Sequence, residues 1–214
     1  MINTSFDTRR LRCSIGWLGM LLPWLVVLIT RTWVHSISIT YYSYLATGTF
    51  MVILGSAGLL LMNYKGYEKI DDIINTITGI AGLGICAFPM AYKIGDVYVK
   101  TGIFGLDSNI SGTFHNISAV IFFALLSFNS IFLFTKSKGE MTKNKKIRNI
   151  IFRVCGVGMV ASFLIMLIPS NVLPNKTWLT EMIALTFFGI SWLTKANCYK
   201  WLFCDKKEVI NNDK

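Results

Sequence analysis

Six stretches of the chain are continuously apolar rather than alternating: 14–30, 44–62, 73–90, 114–134, 150–168 and 178–193. Strict alternation is the mark of a half-buried strand; unbroken runs of this length read as helices. Roughly 20 mostly apolar residues cross a bilayer core of about 30 Å as an α-helix. Inside lipid the backbone finds no hydrogen-bond partner except in a helix or a closed barrel. The pattern therefore predicts an all-α, polytopic transmembrane bundle of six helices, one transmembrane domain over residues 1–214. Some runs are short, and their aromatic and polar flanks extend them into the headgroup region. The first run follows Arg9, Arg10 and Arg12 but lacks a small-residue cleavage pattern, so it reads as a retained span.

Composition agrees: 53% of residues are hydrophobic and 15% charged, against about 25% charged in a soluble domain. Charge then sets the orientation. The net charge of +10 would suit nucleic acid, but its placement does not. With the N-terminus inside, 17 of the 21 basic residues fall on one side, leaving Arg31, Lys93, Lys100 and Lys176 outside. Positive-inside bias in short loops places both termini in the cytoplasm. The densest cluster, KSKGEMTKNKKIR, reads as a topology determinant that touches anionic headgroups.

Cys13, Cys198 and Cys204 fall on this reducing side, and Cys86 and Cys155 lie within spans. The sequence thus indicates neither a disulfide framework nor a zinc site. Small residues gather in the second span (Gly55, Ser56, Ala57, Gly58), the third (Gly79, Ala81, Gly82, Gly84) and the fifth (Gly156, Gly158, Ala161). They let helix backbones approach, so these three spans are expected to form the tight centre. The fourth, rich in Phe, Leu and Ile, is expected to face lipid. GIAGLG matches a dinucleotide fingerprint only by chance, having no strand before it. Asp71 and Asp72 open the third helix, where its dipole favours carboxylates. The longest outer connection, 92–113, carries turn residues and an extended piece, DVYVKTGIF.

Ionisable groups inside spans are costly and often functional. Glu181 sits about one turn into the sixth run, and no acidic residue lies at a midplane, which weakens an ion-coupled transporter. A candidate ligand-binding group lies at the outer ends: His35, Tyr41 and Tyr42 before the second span, His115 and Ser118 at the start of the fourth, and Glu181. His115 and Ser118 share a helix face at i,i+3. A histidine, a serine and a carboxylate are the parts of a hydrolytic site. Two histidines and a carboxylate are the parts of an open zinc site. Belt residues at an interface account for the same residue types.

Four strings occur together: SISITYYS, NYKGYEKIDD, AGLGICAFP and HNISAVIFF. In these the chain resembles a family of small, uncharacterised bacterial integral membrane proteins with six helices, over about half its length. The resemblance implies a bacterial inner-membrane location and marks Ser36, Ser38, Tyr41, Tyr42, Lys65, Gly66, Tyr67, Pro89, His115, Ser118 and Ala119 as family positions. Relatives often carry a charged pair after the double tyrosine; here that place reads SYLATGTF, without charge. No activity, catalytic residue, metal or cofactor comes with it.

The expected function is binding or moving a lipid headgroup or small solute at an outer-face pocket. The bilayer and such a ligand are the expected partners, a homo-oligomer is allowed, and nucleic acid is not expected. The alternatives are a membrane-embedded lipid hydrolase or transferase and a pore-forming effector. Two histidines exclude a three-histidine zinc site. A pore would need a polar path, and only Asn63, Thr78, Ser127, Asn129, Thr186 and Ser191 are scattered through the spans.

Overall fold

The computed structural model describes residues 4–137 and 141–198. Cys204 and the basic residues Lys138, Lys200, Lys206, Lys207 and Lys214 lie outside them. The described residues form six α-helices: α1 (Thr4–Thr30), α2 (Thr47–Met62), α3 (Lys69–Ala87), α4 (Ser108–Phe128), α5 (Lys143–Ser162) and α6 (Lys176–Lys195). A π-helical turn, Asn129–Leu133, prolongs α4, and a 3₁₀ turn, Phe163–Leu167, prolongs α5. Four helices with their extensions are long and apolar enough to cross a membrane: α1, α3, α4 and α5. α2 is apolar but has 16 residues, about 24 Å at 1.5 Å per residue. It starts late because Ser38–Tyr42 turns as a 3₁₀ helix and Thr47 donates its hydroxyl to the Tyr41 and Ser43 carbonyls.

Each helix packs on its neighbours in sequence, and α6 closes onto α1, so the six form a ring. The core inside it holds Ile15, Leu22, Phe50, Leu61, Phe122 and Trp192, all at most 2% exposed. This arrangement corrects the expected centre. α5 packs chiefly on α4 and α6, not on α2 and α3. Its glycines serve those contacts: a Cβ on Gly156 would collide with Ile131, and one on Gly158 with Phe187. The α2–α3 approach is as expected, since a Cβ on Gly79 would collide with the Gly58 carbonyl. The α1–α6 approach was not foreseen; a Cβ on Gly189 would lie 2.8 Å from the Gly16 carbonyl oxygen. α4 leaves Phe114, Ile117, Val120 and Ile121 exposed on the outside of the bundle.

The long connection between α3 and α4 folds into two small antiparallel hairpins, β1 (Lys93–Ile94) with β2 (Val97–Tyr98) and β3 (Lys100–Thr101) with β4 (Leu106–Asp107). Gly95, Gly102 and Gly105 supply positive φ at their turns. α4 therefore begins at Ser108, six residues before the apolar run.

The ring brings the start of α1 beside the end of α6. Arg9 donates to the Ala196 and Asn197 carbonyls, and Cys13 and Cys198 form a disulfide. That overturns the expectation of no disulfide. The compartment argument weighed only redox environment, whereas a pair 185 residues apart becomes adjacent only through the α1–α6 contact.

Candidate functional site

The anticipated outer group does not gather into one pocket. Glu181 is saturated by its own neighbours. Ser36 Oγ donates to both carboxylate oxygens (2.9 and 3.0 Å), Ser38 Oγ to one (3.3 Å) and the Ile37 N–H to the other (2.5 Å). This ties the segment after α1 to α6. A cavity of about 40 Å³ beside it, lined by Ser38, Leu54, Phe122 and Leu185, has room for a few waters and not for a headgroup. His35 is exposed, and its backbone carbonyl accepts from the Trp178 N–H.

His115 is buried and its Nδ1 lies 2.9 Å from the Phe88 carbonyl oxygen at the end of α3. Ser118 packs against Gly84, where a Cβ would lie 2.6 Å from its Oγ. Tyr42 donates to the Met90 carbonyl and stacks on Tyr92, and Tyr41 packs edge-on against Tyr42. Burial pushes the Tyr42 phenol up from its ordinary range. These residues pin the α3–α4 connection to the 3₁₀ turn before α2. Among the described residues no three His, Cys, Asp or Glu side chains converge on a metal-sized site, so the two-histidine, one-carboxylate zinc arrangement is not assembled there.

The opposite, basic end holds a different arrangement. A cavity of about 360 Å³ is lined by Arg12 of α1, Lys136 after α4, Lys145 and Arg148 of α5 and Lys195 of α6. Lys136 is neutralised: Nζ lies 2.7 Å from Asp71 Oδ1 and 2.8 Å from Glu68 Oε2, and these bonds push its pKa up. Both carboxylates are fixed by the capping box of α3, in which Glu68 and Asp71 bond each other's backbone N–H groups. The helix-opening role expected of Asp71 and Asp72 is thus present, and it also places a counter-ion at the cavity rim.

The other four cations have no carboxylate within ion-pair distance among the described residues. Arg12 sits over the Tyr64 ring, its guanidinium carbon 5.3 Å from the centroid. Lys195 Nζ lies 4.8 Å and 4.9 Å from the Tyr67 and Phe134 ring centroids. Lys145 donates to the Phe134 carbonyl and Arg148 to Asn197 Oδ1. The Nε atoms of Arg12 and Arg148 are buried and lack a hydrogen-bond partner among the described residues, an arrangement that costs free energy unless something accepts from them. Lys195 ends α6, two residues past its apolar run. Burial, reinforced by Arg12, Lys145 and Arg148 against the opposing pull of Asp71, lowers its pKa to about 7.

The start of α5 adds to the positive field. Thr142, which lines the cavity, caps the helix by accepting from the Lys145 N–H. The positive end of a 20-residue helix with no acidic residue in its first turn thus faces the same space. Thr194 and Asn197 add side-chain polar groups. The arrangement is built to donate hydrogen bonds to a ligand and to balance its negative charge, with donors from four segments.

Sequence reasoning assigned each of these cations to membrane orientation and missed the cavity. One signal was present: in a helix capped by Thr142, Lys145 and Arg148 stand at i,i+3 on one face. Of the polar residues scattered through the apolar runs, all but Asn129 pair locally; the Asn129 side-chain amide is buried without a hydrogen-bond partner among the described residues. Ser127 donates to the Gly156 carbonyl, Ser130 bonds Ser191 and Thr186 bonds the Met182 carbonyl. Comparisons with protein-family models, with curated proteins and with solved structures return no match to this chain.

Proposed function

We propose that the chain is a six-span protein of the bacterial inner membrane with both termini in the cytoplasm, and that its cytoplasmic-end cavity binds a phosphate-bearing group. That group is either the headgroup of an anionic lipid or a small phosphorylated solute. The observation that carries the reading is the cavity with four cations that have no carboxylate partner among the described residues, two of them with buried Nε atoms that have no partner there either. Arginine matches phosphate geometry with two parallel donors, and the α5 N-terminus favours the same charge.

The ligand class is the one expected from sequence; the face is not. Glu181, Tyr42 and His115 at the outer end already have partners, and the basic end has donors in excess among the described residues. Among the described residues the lining includes no histidine and no carboxylate, and its donors suit binding.

The test uses the purified full chain. Inorganic phosphate should raise its unfolding temperature beyond chloride at equal ionic strength, because a ligand that binds only the folded state stabilises it by mass action. Nanodiscs with and without phosphatidic acid then separate the sources. Stabilisation by the lipid alone identifies a headgroup site, and stabilisation by free phosphate in both identifies a solute site. Equal response to chloride and phosphate, with no response to the lipid, refutes the proposal.

A further inference from the structure

We infer that the Cys13–Cys198 bond is a redox latch on the basic cavity, holding it in its binding shape when oxidised and loosening it when reduced. The inference rests on the phosphate-binding reading above. Its starting point is a conflict. The bond stands at the end of the bundle where basic residues concentrate, which positive-inside bias assigns to the cytoplasm. There, thiol reductants keep most cysteines reduced, and disulfides that do form are transient or sensing.

The bond joins two walls of the cavity. Cys13 follows Arg12, and Cys198 follows Asn197; both preceding residues line it. Asn197 takes a positive φ of 52°, and the Cys198 N–H reaches back to the Leu193 carbonyl (3.1 Å). This is a Schellman-type helix end, with an asparagine in the left-handed position. A non-glycine residue is held there only by its surroundings. Three things hold it: Arg148 on its side chain, Arg9 on its carbonyl, and the disulfide on the next residue. Removing the covalent one frees the end of α6, and with it the Asn197 acceptor that orients Arg148.

The Cys13 side of the bond is within reach of a reductant. Cys13 borders an open surface groove of about 300 Å³ together with Arg9, Arg10 and Ser14. The positive charge there favours a thiolate leaving group. A dithiol reductant supplies the chemistry. One of its thiolates attacks one protein sulfur, the protein S–S bond breaks, and the other cysteine leaves as a thiolate. The second reductant thiolate closes the reductant's own disulfide and releases the remaining cysteine. Two electrons and two protons pass to the protein. Cys86 and Cys155 are buried free thiols and take no part.

The experiment measures phosphate affinity of the full chain in detergent in three states: oxidised, reduced with dithiothreitol, and Cys13→Ser with Cys198→Ser. Ordering one or two freed residues on binding should weaken affinity roughly five- to thirty-fold in the second and third states, and the double variant should ignore reductant. Equal affinity in the oxidised and reduced states, with reduction verified by thiol alkylation, overturns the latch. Failure of oxidised protein to form the bond, seen as alkylation of both cysteines without reductant, overturns it too. If no state binds phosphate, the cavity reading fails and the latch is judged by hydrogen exchange at Thr194–Cys198. Faster exchange on reduction supports it, and unchanged exchange refutes it.

Discussion

Replacing Arg148 with alanine isolates the contribution of one cation to the cavity. The guanidinium spends one donor on Asn197 Oδ1, and its Nε is buried without a partner. A hydrogen bond from a charged donor to a phosphate oxygen is worth about 1.5–3 kcal/mol. At about 1.4 kcal/mol per decade, Arg148→Ala should weaken phosphate binding by roughly 10- to 150-fold. The unliganded protein loses the Asn197 bond, also from a charged donor and worth about 1.5–3 kcal/mol, and is relieved of repulsion with Lys145 and Lys195, a few tenths to about 1 kcal/mol. Stability without ligand should therefore fall by about 0.5–3 kcal/mol, and affinity of the folded protein should fall by more than a decade beside it.

The control removes the same charge from the same helix. Arg153 is exposed on α5 and does not line the cavity, so Arg153→Ala should change affinity by less than about three-fold through screened long-range attraction. Lys195→Met, which removes a cation that stacks on Tyr67 and Phe134, should fall on the Arg148 side. Isothermal titration of detergent-purified protein with phosphate measures all three. Equal weakening by Arg148→Ala and Arg153→Ala would mean that net charge attracts the anion, and the site argument would collapse.

Binding should also depend on pH in a defined direction. Lys195, with its pKa lowered to about 7 and faced by Arg12, Lys145, Arg148 and Asp71, is mostly neutral above that pH and charged below it. An anion whose own charge is constant, such as sulfate, should bind about ten-fold more tightly at about pH 6 than at about pH 8, and Lys195→Met should flatten that profile. Without ligand the sign reverses: a lysine pKa depressed in the fold makes the protein gain stability as pH rises from about 7 toward about 10.5. In the bundle, Gly79→Ala forces a methyl into the Gly58 carbonyl and should cost about 1–3 kcal/mol. Gly55→Ala, with open space around it, should stay within about 0.5 kcal/mol; equal thermal unfolding of the two would contradict the packing. His115→Ala leaves the Phe88 carbonyl without its side-chain partner, so it should lower stability by about 1–3 kcal/mol and leave phosphate affinity unchanged. Undiminished stability would return His115 to the list of functional candidates.

What was legible in the sequence was whatever depends on one helix or one helix end. The apolar runs located all six helices because burying backbone in lipid demands continuous apolar cover. Asp71 and Asp72 announced the start of α3 because the helix dipole acts within a single turn. Gly58 and Gly79 marked a close approach, since a small residue is informative wherever its helix lies. The site was not legible, because it depends on which helices meet. Arg12, Arg148 and Lys195 stand far apart along the chain, and each had a sufficient local explanation as a cytoplasmic anchor. Closure of the ring by α6 onto α1 turns three anchors into one wall.

The outer residues show the mirror-image case. Glu181, Tyr42 and His115 were correctly placed near one end, but depth alone does not say what a polar group faces. Each found a serine hydroxyl, a backbone N–H or a carbonyl on a neighbouring segment. In a bundle whose connections must be fastened with few polar groups, a satisfied carboxylate or imidazole is structural cement. The cations at the other end differ because their neighbours among the described residues supply too few acceptors, and an excess of donors around a cavity is the condition a ligand relieves.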